Sequence, residues 1–183
     1  MADLRIVLLS VVILFAVNSQ AMLEIQKHFE FEDVLGDLQD NMWVWRSEAS
    51  DLKTLRLEDE TGVYTVNLNI CVQPYNSTMN ITLYIDDIRY SNDGPSDTVI
   101  VDFDGINIAN FTTIEKWRSG HEWNVFRNSG NVGPALNLLP GQYVLQISVL
   151  TDQWGVELDR IRVNLENQDP MENVFCGASL SST

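Results

Sequence analysis

The sequence predicts an all-β protein, built as a single β-sandwich or barrel. After residue 60, apolar and polar residues alternate with a period of two, which is the pattern of half-buried strands. Clusters of Gly, Pro, Asn and Asp separate these runs and predict turns between them. The only helix candidate, residues 32–42, is interrupted by Gly36. Many short strands joined by turns are typical of sandwiches and barrels.

Three long runs carry the clearest alternation. They are GVYTVNLNICV (62–72), NITLYIDDI (80–88) and QYVLQISVL (142–150). Shorter strand candidates are FEFEDV (29–34), MWVWR (42–46), DTVIVDF (97–103), INIANFTT (106–113), EWNVFR (122–127) and VELDRIRV (156–163). Between two of these strands, Asp104-Gly105 predicts a tight hairpin turn, because both residue types accept a positive φ.

The strand VELDRIRV changes its pattern partway along. Val156 and Leu158 share one parity, whereas Ile161 and Val163 share the opposite one. Asp159 stands at the change of parity. A β-bulge there would let the strand bury residues on both sides of the break.

The first residues predict a secretory signal peptide, residues 1–21. Arg5 precedes an unbroken apolar stretch (6–17), and small residues at Ser19 and Ala21 predict cleavage after Ala21. The remaining 183 − 21 = 162 residues, 22–183, suit one domain, with a core at about 28–165 and a C-terminal tail. The predicted location is therefore extracellular, without membrane insertion.

Charge and cysteine content narrow the function further. A formal net charge of −15 argues against nucleic-acid partners, because phosphates must be neutralised by Lys and Arg. The acidic residues either keep the protein in solution or, in the more specific alternative, gather around calcium.

Cys71 and Cys176 predict a disulfide in an oxidising compartment. Closing a loop of ~100 residues is worth up to ~4.7 kcal/mol in the chain-entropy model.

Three sequons predict N-glycosylation. They are Asn76 in NST, Asn80 in NIT and Asn110 in NFT. A glycan covers the surface around it, so these positions also indicate where a binding face is not expected.

Motifs for catalysis are absent from the sequence. His28 and His121 are the only histidines, and HEW at 121–123 lacks the second His of a zincin helix. No GxSxG, phosphate loop or dinucleotide-binding glycine pattern occurs. A carboxylate pair for glycosidic cleavage stays open but unselected, because acidic residues are plentiful. The sequence thus predicts no catalytic residues.

Tryptophans on polar loops suggest a ligand. Trp43 and Trp45 alternate on one strand face, for which core packing is the default. Trp117, Trp123 and Trp154 lie among polar residues, where loop aromatics either anchor to the core or stay exposed for stacking. The apolar face of a pyranose packs on indole, while its hydroxyls need the neighbouring amides and carboxylates.

The order of these motifs resembles the β-sandwich carbohydrate-binding modules of family 6 and its relatives, families 35 and 36. The matching segments run through most of the chain after residue 21. They are EFE at 30–32, GVY at 62–64, DFDG at 102–105, EWNVF at 122–126, LNLLPGQYVLQISV at 136–149 and ELDRI at 157–161. Each motif is short, so the resemblance depends on their order.

The resemblance implies a jelly roll of two antiparallel sheets, a metal site and a sugar site. By this resemblance, a structural calcium ion would be bound by Glu30, Glu32 and Asp159. The sugar would lie in loops at one edge of the sandwich, on Trp123, with Trp154 added on position alone. Glu157 stands where such modules often carry a sugar-binding Asn.

The expected function is a secreted, lectin-like carbohydrate-binding module without catalysis. Its partners would be glycans or glycoproteins, and calcium its structural cofactor. The alternative is an extracellular structural or protein-interaction module that does not bind sugar. A hydrolase that uses unidentified carboxylates ranks lowest.

Overall fold

The computed structural model is a β-sandwich of two antiparallel sheets, and it describes residues 24–35, 42–57, 62–74, 79–115, 122–152, 154–169 and 174–182. The predicted signal peptide and Asn76 lie outside the described residues, as do Trp117 and His121. The strands are β1 (Glu24–Glu30), β2 (Trp43–Trp45), β3 (Lys53–Leu57), β4 (Gly62–Val72), β5 (Ile81–Ser91), β6 (Thr98–Phe103), β7 (Ile106–Thr112), β8 (Arg127–Asn128), β9 (Leu136–Leu138), β10 (Gly141–Thr151), β11 (Val156–Glu166) and β12 (Phe175–Ser182). One short helix, α1 (Phe31–Leu35), follows β1.

The chain passes from one sheet to the other at most of its connections. Sheet A has the order β2-β3-β11-β5-β8, with β1 also paired to β11 and β9 to β5. Sheet B has the order β12-β4-β10-β6-β7. Consecutive strands β3, β4, β5 and β6 therefore alternate between the sheets, as do β9 to β12. This architecture confirms the predicted jelly-roll sandwich.

The core lies between the two sheets, where the period-two pattern places it. β4 alternates buried and partly buried residues along its whole length. Its buried Val66, Leu68 and Ile70 are fully inaccessible to water. Burying each such side chain contributes roughly 1.5–3 kcal/mol, so the sandwich is held mainly by this double layer.

Two local predictions are confirmed. Asp104 and Gly105 have φ angles of 51° and 78°, and they form the turn of the β6–β7 hairpin. The β11–β5 register shifts between Leu158 and Arg160, which places a bulge at Asp159. Both Leu158 and Asp159 are buried, as the change of parity predicted.

Two predicted strands are wrong in part. FEFEDV is strand only to Glu30; from Phe31 the chain is helical, because α1 buries Phe31 and Leu35, four residues apart, on one face. EWNVFR contains a 3-10 turn at Glu122–Asn124, and only Arg127–Asn128 pairs with β5. The aromatic contacts described below hold this segment in place, whereas the sequence predicted that strand pairing would do so. The sequence also failed to predict β3, β9 and β12.

The C-terminal tail is an integral strand of sheet B. β12 pairs with β4, and Cys71 and Cys176 form the predicted disulfide, with 6.0 Å between their Cα atoms. The bridge spans 105 residues and ties β12, which lies at the edge of sheet B, to the end of β4. Among the described residues, no helix has the length and apolar character needed to cross a membrane.

Candidate functional site

Two loops meet at one end of the sandwich. β5 and β10 end there, and β6 and β11 begin there, so residues 92–97 lie beside residues 152, 154 and 155. The backbone N–H of Asp152 donates to Oδ1 of Asp97 at 3.2 Å and joins the loops directly. We call this pair of loops the loop edge.

Trp154 presents its indole at the loop edge. The side chain is 49% exposed, and its base lies on Gly94. A Cβ added to Gly94 would lie 2.6 Å from Cβ of Trp154, so only glycine fits under the ring. The backbone N–H groups of Trp154 and Gly155 donate to Oδ1 of Asp152, at 2.7 and 3.3 Å. Gly94 therefore supports the indole on one side, and the Asp152 side chain fixes the backbone of Trp154.

Asn92 fixes the other loop. Its Oδ1 accepts the N–H of Gly94 at 2.9 Å. Its Nδ2 donates to the carbonyl of Pro95 at 2.6 Å and to Oγ1 of Thr113 at 2.9 Å. Asn92 and Thr113 are both buried, so these bonds are protected from competing water. Gly94 therefore offers Trp154 a rigid support.

Asp97 is a buried carboxylate beneath this surface. Its side chain is 2% exposed, and burial raises its pKa to about 6. This value combines burial, the largest cause, with the nearby charge of Asp152, which also raises the pKa. The N–H bond from Asp152 and the hydrogen bond with Thr113 lower the pKa. The loop edge therefore contains a group that titrates close to neutral pH.

Trp123 lies against two arginines. The guanidinium carbon of Arg46 is 5.7 Å from the ring centroid, and that of Arg56 is 5.1 Å away. These are cation–π distances. The ring is partly buried, so it offers a ligand less free surface than Trp154 does.

Glu157 is buried below Arg46. Its side chain is fully inaccessible to water, and Arg46 binds it through both Nε, at 2.7 Å from Oε2, and Nη2. Thr54 Oγ1 also donates to Oε2 at 3.0 Å. In this position, both oxygens of Glu157 face protein groups. Glu157 orients Arg46 against Trp123 and does not itself line the surface.

Asp159 is also buried and paired. Its Oδ1 accepts the backbone N–H of Ser50 at 2.9 Å, and its Oδ2 accepts the Ser50 hydroxyl at 2.7 Å. Nη1 of Arg89 lies 2.5 Å from the same Oδ2. Both oxygens are therefore engaged by donors.

The three residues predicted to bind calcium lie on β1, α1 and β11. Glu30 ends β1 opposite Arg160, whereas Glu32 lies on α1 and not on the predicted strand. No group of three or more His, Cys, Asp or Glu that could hold a metal ion occurs among the described residues. Asp159 does not fit the expected ligand set, because its oxygens are taken by Ser50 and Arg89. Calcium binding by Glu30 and Glu32 stays a prediction.

Two other predictions concern exposure. Trp45, expected in the core with Trp43, is instead 69% exposed beside Lys53, whose Nζ lies 5.7 Å from the ring centroid. Asn80 and Asn110 are exposed, as a glycan acceptor must be, and their glycosylation stays a prediction.

Several residues of the site escaped sequence reasoning. The Asp in TDQWG signals a side-chain-capped turn, so Asp152 could have been found from its spacing to Trp154. Arg46, Arg89, Gly94 and Asp97 gave no such signal. Their partners lie many residues away along the chain, as with the 111 residues between Arg46 and Glu157.

Solved structures with a similar arrangement include carbohydrate-binding modules and parts of larger enzymes. The family 35 module (CBM35) of Cellvibrio japonicus Abf62 has a TM-score of 0.48 at 14% identity, over 86% of this chain and 96% of that one. A family 35 module from Clostridium thermocellum has a TM-score of 0.26 at 14% identity, over 76% and 90%. A Paenibacillus cycloisomaltooligosaccharide glucanotransferase, complexed with cycloisomaltoheptaose, has a TM-score of 0.47 at 16% identity, over 75% of this chain. This chain spans 18% of that enzyme. No family model and no curated protein matches the chain.

Proposed function

We propose that the chain is a secreted, non-catalytic carbohydrate-binding protein whose sugar lies on the loop edge. The observation that carries the proposal is the half-exposed indole of Trp154, fixed on Gly94 and at the Asp152 turn. A pyranose has an apolar C–H face that packs on such a ring. A preorganised aromatic platform costs little entropy when the ligand arrives.

Trp123 has a supporting role in this proposal. Arg46 and Arg56 hold its ring, and Glu157 holds Arg46. Their guanidinium groups, which lie over the ring, also carry N–H donors of the kind that bind sugar hydroxyls. Glu157 therefore acts on the ligand through Arg46.

Secretion and glycosylation belong to the same proposal. The disulfide between Cys71 and Cys176 is the kind of bond that persists in an oxidising compartment. Asn80 precedes β5, at the end of the sandwich opposite the loop edge, so a glycan there would leave Trp154 uncovered. The proposed partners are glycans and glycoproteins.

A glycan array probed with the purified protein tests the proposal, followed by titration of the best-bound sugar. We expect Trp154→Ala to weaken binding at least about ten-fold, or about 1.4 kcal/mol, and Trp123→Ala to weaken it less. Trp45→Ala is the matched control, because it removes an exposed tryptophan from β2, outside the loop edge.

The outcomes separate the two functions. Binding that survives Trp154→Ala and Trp123→Ala would reject this site. If the wild-type protein binds no glycan on the array, the alternative of a structural or protein-interaction module takes the place of carbohydrate binding.

A further inference from the structure

The bulged residue of β11 needs a positive partner. Asp159 is fully buried, and an uncompensated carboxylate in that position would cost several kcal/mol. The resemblance to family 6 modules would supply a calcium ion here. The residues around Asp159 indicate a different cation.

Arg89 on β5 occupies the position next to the carboxylate. Besides the 2.5 Å contact to Oδ2 of Asp159, its Nη2 donates to the carbonyl of Glu48 at 3.0 Å. Its guanidinium carbon lies 4.7 Å from the ring centroid of Phe126. One side chain thus joins β11, the turn between β2 and β3, and the aromatic segment that precedes β8.

Ser50 completes the shell around Asp159. Its N–H donates to Oδ1 and its hydroxyl donates to Oδ2 of the carboxylate, at 2.9 and 2.7 Å. Calcium would need six to eight oxygen ligands at about 2.3–2.6 Å, and the guanidinium of Arg89 would repel it. A fixed cation already neutralises Asp159.

The same unit occurs twice along β11. Glu157 is bound by Arg46, which lies against Trp123; Asp159 is bound by Arg89, which lies against Phe126. Trp123 and Phe126 belong to the segment that failed to form the predicted strand. Each arginine therefore connects a buried carboxylate to an aromatic ring of this segment.

We propose that Arg89 is the counter-cation of Asp159 in place of a divalent metal, and that it positions the 46–52 turn and the 122–126 segment. Arg89 is a positioning residue, and it does not contact the proposed sugar. The proposal is independent of carbohydrate binding, because its readouts are unfolding and metal binding.

A double-mutant cycle on thermal unfolding tests the pairing. Arg89→Met should lower Tm by about 10 °C, because it leaves a buried carboxylate unpaired. Adding Asp159→Asn should recover part of the loss, since the charge is removed. Arg89→Lys should retain more of Tm than Arg89→Met. Additive losses in the cycle would overturn the proposal.

Calcium titration supplies the second readout. Calorimetric titration of calcium chloride into chelator-treated protein should give the same heats for wild type and Asp159→Asn, and a chelator should shift both Tm values equally. Asp86→Asn, a partly buried neighbour on β5, is the control. Calcium binding that Asp159→Asn abolishes, and Asp86→Asn retains, would overturn the proposal. Equal binding in all three would place any ion away from Asp159 and support it.

Discussion

Glu157 and Asp159 of β11 and Asp97 of the loop edge are all buried carboxylates, but they are stabilised differently. Glu157 and Asp159 are fully inaccessible, and each has an arginine on its oxygens. Asp97 is 2% exposed, and no Lys or Arg pairs with it in the part of the chain that the structure describes. Burial raises the pKa of Asp97 to about 6.

The two regions therefore hold their carboxylates differently. In the β11 region, arginine side chains fix Glu157 and Asp159 through direct hydrogen bonds. At the loop edge, where burial raises the pKa of Asp97 to about 6, this carboxyl group gains or loses its proton near that pH. The surface under Trp154 is therefore the part of the proposed site that responds to acidity.

The largest expected effect follows from removing the cation from Glu157. Arg46→Met leaves this carboxylate buried and unpaired, which typically costs about 3–5 kcal/mol. The free energy of unfolding, from urea titration, measures the loss. The emission of Trp123 should also shift, since its guanidinium neighbour is gone.

A pair at the surface of the same sheet is the control for this change. Nζ of Lys53 on β3 lies 5.7 Å from the ring centroid of the exposed Trp45, so Lys53→Met should cost below about 1 kcal/mol. If both variants lose the same free energy of unfolding, then the burial of Glu157 does not determine how much Arg46 stabilises the protein.

Asp97 should contribute to the pH dependence of stability, together with Asp87, whose pKa burial also raises. Burial raises the folded pKa of Asp97 to about 6, from its ordinary value of 3.8. A raised folded pKa gives stability that is full below about pH 4 and lost as pH rises through about 6, worth about 3 kcal/mol in total. Asp97→Asn should remove this contribution and be more stable than wild type at pH 7.

Unfolding measured at pH 4, 5, 6 and 7 tests this expectation. Asp102→Asn on β6 is the control, because it makes the same substitution at an Asp that is less buried. If the profile of Asp97→Asn remains parallel to that of wild type, another group is responsible for the pH dependence.

The smallest effect is expected from Gly94→Ala. The added methyl group would meet Trp154 at 2.6 Å and push the indole away, at a cost of about 1–3 kcal/mol. Sugar affinity should fall together with stability. Gly141→Ala is the control, because the nearest atom to its added Cβ is 3.8 Å away. Unchanged affinity in Gly94→Ala would remove Trp154 from the site.

Local patterns predicted the framework well. The alternation in β4, β5 and β10 set which residues face the core, and a change of parity located the bulge at Asp159. The two cysteines predicted their own disulfide. The strands and the bulge follow from neighbouring residues. The disulfide follows because two cysteines can form only one intramolecular pair.

Short elements were harder to predict, because packing decided them. Phe31 became helical, and β12 became a strand through its pairing with β4, which lies about 100 residues earlier. Trp45 and Trp43 share a parity, yet only Trp43 packs against the core. No local pattern distinguishes these outcomes.

The sequence by itself determined the sandwich, its principal core faces, the bulge and the disulfide, since each follows from periodicity, turn chemistry or composition. Only the tertiary structure decided what the charged residues do. Arg46 reaches Glu157 from the turn after β2, and Arg89 reaches Asp159 from β5, 111 and 70 residues away along the chain. The sequence shows which residues carry a negative charge, but the cation that pairs with each depends on which segments the fold brings together.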